Sequence, residues 1–226
     1  MLIYYITDRS QFAGSETDRR AQLLRTIRKA AAAGVDLIQL REKDLSIREL
    51  ESLAREVLRV VRDEGAARLL INHRADVALA VGADGVHLTG TDIAASDVRS
   101  LVAKRRSGQF LVAVSCHSAQ EVRLAEAHGA DFAVLAPVFE KVEKKSVVRN
   151  GIGLDELRLA TGKNQSPDPR VEAGGNRGNI PVLALGGVDL QRASICADAG
   201  AMGIAGIRLF QQSLELRALV LALRSL

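Results

Sequence analysis

The sequence predicts an α/β fold, a single (β/α)8 TIM barrel over residues 1–226. Three observations carry that expectation. Short apolar, β-prone runs alternate strictly with helical stretches along the 226 residues, as in a parallel sheet with helical crossovers. The alternation yields eight strands, the number that closes a barrel, whereas a doubly wound sheet usually has about five or six. A pattern also recurs where helix gives way to strand: Ala33-Gly34-Val35-Asp36, Gly82-Ala83-Asp84, Gly129-Ala130-Asp131 and, more loosely, Gly200-Ala201-Met202. Each is a glycine stop and a small residue ahead of a buried strand.

The elements follow in order. Leu2–Ile6 is apolar and breaks at Thr7-Asp8. Arg19–Ala33 has helical period and stops at Gly34. The second strand is Asp36–Leu40, and Ser46 caps the next helix with Glu49 at capping-box distance. That helix runs to about Asp63. Arg68–Ile71 is a strand, Ala75–Val81 a helix, Gly85–Leu88 a strand and Ser96–Arg105 a helix. Phe110–Ser115 leads into helix Ala119–His128. Phe132–Ala136 is followed by a polar loop through Gly153, then helix Leu154–Ala160. Pro181–Leu185 precedes helix Gln191–Ala199, and Met202–Ala205 precedes helix Leu214–Leu223. Residues 162–180 are polar, aperiodic and rich in Gly and Pro, and are read as a surface loop on the face away from the strand tips.

Composition narrows the function. Two cysteines, Cys116 and Cys196, are too few and too dispersed for a disulfide framework or a CxxC metal site, and point to a reducing, cytosolic setting. The formal charge of +4 favours small anions, while aromatics at 3% and the lack of a long basic block argue against nucleic acid. The first eight residues lack the basic start and cleavage site of a signal peptide. No apolar run approaches the ~18 residues of a membrane span. A homo-oligomer is compatible with the sequence.

In a barrel of this kind chemistry collects at the carboxyl ends of the strands. The tips here are donor-rich: Gln39-Leu40-Arg41-Glu42-Lys43, Asn72-His73-Arg74, His87 with Asp92, Ser115-Cys116-His117-Ser118, Gly186-Gly187 and Gly206-Ile207-Arg208. Arg41 and Lys43, two apart on an extended chain, share a side and form a phosphate clamp, or else a solvated turn. With Asn72 and Lys144 they exceed the needs of one monophosphate and suggest a pyrophosphate group or a second phosphorylated reactant. Gly186 and Gly187, with Ile207 and Arg208, fit the phosphate site usual after the last two strands of a barrel, or simply a tight turn. Asp92 is a carboxylate for Mg²⁺ or a helix cap. His117 is an acid/base candidate or a hydrogen-bonded support. His87, inside its strand, reads as a satisfied core histidine. Cys116 has no adjacent activating cation and is not assigned as a nucleophile.

These residues resemble the thiamin phosphate synthase/TenI family along nearly the whole chain. The matching segments include Tyr4-Tyr5-Ile6-Thr7-Asp8, Gln39-Leu40-Arg41-Glu42-Lys43, Ile71-Asn72-His73-Arg74, Val114-Ser115-Cys116-His117-Ser118 and Leu183-Ala184-Leu185-Gly186-Gly187-Val188. The resemblance implies a (β/α)8 barrel that acts on small phosphorylated substrates in thiamin biosynthesis. The synthase reaction loses pyrophosphate from aminopyrimidine-methyl diphosphate, and the nitrogen of thiazole phosphate attacks the resulting cation. By the same resemblance Arg41, Lys43, Asn72 and Lys144 contact pyrophosphate, Gln39 the pyrimidine, Asp92 a magnesium ion, and Gly187 with the backbone near Ile207 and Arg208 the thiazole phosphate. His73 departs from the family's second magnesium carboxylate. Lys141-Val142-Glu143-Lys144 keeps only the lysine of a Thr-x-Thr-Lys loop. Such departures, with His117 at the place of an acid/base, also resemble the TenI branch of thiazole tautomerases. Two alternatives therefore stand beside the synthase: a tautomerase, and a non-catalytic binder of thiamin-pathway phosphates.

Overall fold

Helix and strand alternate as the sequence predicts, and the strands close on themselves. The computed structural model describes residues 1–103, 110–143, 146–163 and 180–226. Its strands are β1 (Leu2–Ile6), β2 (Leu37–Leu40), β3 (Arg68–Asn72), β4 (Gly85–Leu88), β5 (Leu111–Cys116), β6 (Phe132–Leu135), β7 (Lys141–Glu143), β8 (Ser146–Arg149), β9 (Val182–Ala184) and β10 (Gly203–Gly206). The barrel runs β1-β2-β3-β4-β5-β6-β9-β10 and returns from β10 to β1, every pair parallel. The expected polar loop after β6 is corrected here, since β7 and β8 pair antiparallel as a separate hairpin.

The helices are α1 (Glu16–Ala33), α2 (Ile47–Glu64), α3 (Ala75–Val81), α4 (Ala95–Ala103), α5 (Ala119–Ala127), α6 (Gly153–Thr161), α7 (Leu190–Asp198), α8 (Arg208–Gln211) and α9 (Leu216–Arg224). Capping boxes start α1 at Ser15/Asp18 and α2 at Ser46/Glu49. The first explains why α1 begins three residues before the expected Arg19: Ser15 satisfies the amide of Asp18, and Asp18 returns the bond. The expected final helix, Leu214–Leu223, is α9, and the short α8 ahead of it was not anticipated. Residues 164–179, most of the expected surface loop, lie outside the described residues, as do Lys104, Arg105 and Arg106. No described helix is long and apolar enough to cross a membrane.

Two apolar clusters build the core. The larger lies between strands and helices, with Ile3, Leu23, Ile27, Ile38, Leu53 and Ile71 among its members. The smaller fills the barrel interior with Tyr4, Leu37, Leu70, Phe132, Val134 and Leu183. These are inward positions of the two-residue strand period. The recurring join also acquires a function. Asp36, Asp84 and Asp131 donate their amides to the carbonyls of Ile3, Leu69 and Val112. Their side chains accept from the amides of those same residues at 2.6–2.7 Å. Each carboxylate also pairs with an arginine, Arg224, Arg62 and Arg99 respectively. Carboxylate clamps thus tie three strand pairs, β1–β2, β3–β4 and β5–β6, at the end of the barrel opposite the strand tips. At the fourth, β9–β10, Met202 keeps the backbone bond to Val182 and has no carboxylate.

Candidate active site

Continuing the inward period one step past the apolar filling brings up Gln39, Asn72, His87 and Ser115, the polar floor of the mouth. Gln39, Asn72 and His87 are buried. Gln39 Nε2 donates to the Tyr4 hydroxyl at 3.1 Å. That hydroxyl lies 3.0 Å from His87 Nδ1, and His87 Nε2 lies 2.7 Å from Ser115 Oγ. The buried Tyr4 hydroxyl accepts from Gln39 and finds in Nδ1 the acceptor for its own proton, so the neutral ring carries its proton on Nε2 and donates to Ser115. Burial, reinforced by the charges of His73 and Arg41 and opposed by that of Asp92, holds the His87 pKa down at about 3. The ring is therefore neutral, as expected of a satisfied core histidine. Tyr4 was not singled out from sequence; a tyrosine in a fully apolar strand, needing a partner for its hydroxyl, is the signal that could have found it.

At the second tip β2 stops at Leu40, and burial still alternates: Arg41 is half-buried, Glu42 buried and Lys43 exposed. Glu42 turns the other way, accepting from Thr7 Oγ1 at 2.6 Å and from the Arg9 amide at 2.9 Å. The amide of Arg41 donates to Thr7 Oγ1. Thr7 was read only as part of the first strand tip, and Arg9 was missed in the sequence because Glu42 and Asp44 lie more than 30 residues away.

Gly186 and Gly187 end the β9 tip with φ of +98° and +65°. A Cβ at Gly186 would lie 2.6 Å from Pro137 Cα, and one at Gly187 2.9 Å from Phe139 Cβ. Both positions thus need glycine for conformation and for space. Arg192 Nη1 donates to the Gly187 carbonyl at 2.7 Å, and its guanidinium stacks 4.8 Å over Phe139. Ile207 and the exposed Arg208 follow β10, Arg208 opening α8. The side chain of Gln211 then clasps both backbone groups of Asp8, joining the last tip to the first.

His117 is exposed, its amide bound to Glu121 and its Nδ1 2.5 Å from the Ala136 carbonyl. That carbonyl requires the proton on Nδ1, which leaves Nε2 of a neutral ring to accept one. Burial pushes the Cys116 and Cys196 thiols up to about 12 and about 11, consistent with no nucleophile there. Lys144 lies outside the described residues.

The magnesium expectation meets a different donor set. Asp92 Oδ1 lies 2.7 Å from His73 Nδ1, while Oδ2 accepts from the amide and hydroxyl of Thr89 at 2.7 and 3.1 Å. His73 sits at φ +62°, a left-handed conformation costing about 1–2 kcal/mol in a non-glycine residue. Mg²⁺ prefers carboxylate and other oxygen ligands. Here one carboxylate is already committed on both oxygens, and its neighbour is an imidazole. Among the described residues no group of three His, Cys, Asp or Glu side chains is arranged for a metal ion. These residues do not fit a two-carboxylate magnesium site.

A barrel mouth with a neutral hydrogen-bonded floor, a basic second tip and a glycine seventh tip narrows the candidates to barrels that handle small anions. The family model described as thiamine monophosphate synthase matches residues 3–210. The chain belongs to this family. A relative from Aquifex aeolicus is 39% identical over 208 residues, covering 92% of this chain and 96% of its own length. The thiamine-phosphate synthase of Syntrophomonas wolfei is 34% identical over 205 residues, 91% of this chain and 86% of the relative. Among solved structures, a thiamine phosphate pyrophosphorylase from Pyrococcus furiosus superposes with a TM-score of 0.75 at 27% identity, covering 99% of this chain and 94% of that one. The family is one of transferases in thiamin biosynthesis, and its barrel is the one found here.

Proposed function

We propose that this member of the family is a thiamin phosphate synthase. It would join aminopyrimidine-methyl diphosphate to thiazole phosphate and release pyrophosphate. The observation that carries the reading is the arrangement of the mouth, in which Arg41 and Lys43 rise at one tip above a neutral polar floor of Gln39, Asn72, His87 and Ser115. Loss of pyrophosphate separates charge, so the protein must stabilise a leaving anion while shielding a carbocation from water. In this reading Arg41 and Lys43 neutralise the diphosphate, Asn72 donates to it, and Lys144 joins them by family position. Gln39 and Ser115 orient the pyrimidine, with Ser115 free to donate because it already accepts from His87. The backbone of Gly186-Gly187 and Ile207-Arg208 takes the thiazole phosphate. His117, with Nε2 able to accept a proton, stands beside the mouth as an acid/base.

Incubating the protein with both substrates tests the reading. Thiamin phosphate and pyrophosphate should form in equal amounts, and Arg41→Ala should lower kcat/KM about a hundredfold or more. Interconversion of thiazole phosphate tautomers without coupling would instead mark a tautomerase. Phosphate-ligand binding with neither turnover would mark a binder.

A further inference from the structure

The second tip carries a contradiction in its own sequence. Arg41-Glu42-Lys43-Asp44 alternates cation and anion, and neighbouring opposite charges cancel much of each other's pull on a ligand. A clamp for an anion requires the two acids to be held elsewhere. One residue holds both. Arg9, 4% exposed, follows β1 in a short 3-10 turn over Arg9–Gln11. Its Nη1 and Nη2 grip Asp44 Oδ1 and Oδ2 at 2.7 and 2.9 Å, and Nη1 also reaches Glu42 Oε2 at 3.2 Å. Its backbone amide donates to the same Glu42 oxygen, and its Nε pairs with Glu16 at 2.6 Å. Burial works against its charge, but the hydrogen bonds to Asp44, Glu16 and Glu42 together outweigh it and raise its pKa. Among the described residues the side chains of Arg41 and Lys43 enter no ion pair.

We propose that Arg9 is a positioning residue for the anion clamp: it sequesters Glu42 and Asp44 so that Arg41 and Lys43 keep their charge for a phosphorylated ligand. The planar fork of arginine suits this, because one group must satisfy several carboxylate oxygens at once. The inference rests on the proposed role of Arg41 and Lys43 and adds what keeps them available.

The test is calorimetric titration of the full chain with inorganic pyrophosphate. Arg9→Gln releases the two acids and should weaken binding about tenfold or more. The triple variant Arg9→Gln/Glu42→Gln/Asp44→Asn removes the acids as well and should bind within about threefold of the unaltered protein, a strongly non-additive cycle. A purely structural role for Arg9 predicts the opposite, because losing the whole network cannot repair the turn. Should Arg9→Gln fail to fold by circular dichroism, Arg9→Lys replaces it. A point ammonium cannot hold three carboxylates, so binding should drop severalfold and recover in Arg9→Lys/Asp44→Asn. Unchanged affinity in Arg9→Gln, or a loss that neutralising the acids does not repair, overturns the inference. If the unaltered protein binds no pyrophosphate and Arg41→Ala changes nothing, it is the proposed function that fails.

Discussion

Tyr4 and His87 fix each other's protons although 83 residues separate them. The pairing makes a pH prediction. Folded His87 titrates at about 3 instead of 6.5, so between these values the unfolded chain binds more protons. This contribution to stability is complete above pH 6.5 and declines as pH falls towards 3, by up to about 1.4 kcal/mol per pH unit. Urea denaturation from pH 7 to 4 should show the decline, and His87→Gln should flatten it. At the rim, His73 in place of a carboxylate predicts that Mg²⁺ changes pyrophosphate affinity less than about threefold, below the roughly 5–150-fold of coupled sites. His73→Asp, which the left-handed backbone tolerates equally, should make affinity rise with Mg²⁺ and fall with a chelator. Titrations with and without the metal would read both. Sequence exposed part of this chemistry. The strand position of His87 marked it as internal. The pairs Tyr4–His87, His73–Asp92 and Arg9–Asp44 lay hidden, because nothing local says which distant tip a polar group meets.

Turns and joins between elements decide how firmly those residues are held. At the β9 tip, Gly186→Ala would drive a methyl group onto Pro137 and strain a φ of +98°. It should cost roughly 1–3 kcal/mol and most of the activity, measurable as a lowered thermal midpoint together with lost turnover. At the other end of the barrel, Asp131 accepts from Val112 and pairs with Arg99. Asp131→Ala should cost about 1–3 kcal/mol in urea denaturation while leaving kcat unchanged. Met202→Asp offers the Val182 amide the acceptor that its counterparts have, and should add up to about 1 kcal/mol. Elements were the most legible level. Every barrel strand was anticipated within about two residues, because buried parallel strands read as continuous apolar runs between glycine stops. The hairpin of β7 and β8 was missed because two strands of three and four residues carry too little pattern to stand out from a polar loop. The early start of α1 was missed because aspartate, in place of the more usual glutamate, completes its capping box.

Over the whole molecule, closure of eight parallel strands divides the surface into two working ends. At one, the tips bring together polar groups from opposite ends of the chain, as the Gln211 amide does with the Asp8 backbone. At the other, the aspartate clamps tie neighbouring strands in pairs. The division was implicit in the sequence, where the recurring Asp36, Asp84 and Asp131 precede strands and the varied polar residues follow them. The sequence left open that the former are fasteners, since a carboxylate before a strand is equally at home in solvent. One consequence concerns how this barrel can change over generations of mutation. Substitutions at the clamped end share no partners with those at the mouth, so their effects on stability should add to within about 0.5 kcal/mol. Combining Met202→Asp with His73→Asp and comparing the double variant with the two singles checks this. The clamped end then acts as ballast: its missing fourth fastener is a reserve of stability that would let the mouth explore new ligands without loosening the barrel beneath it.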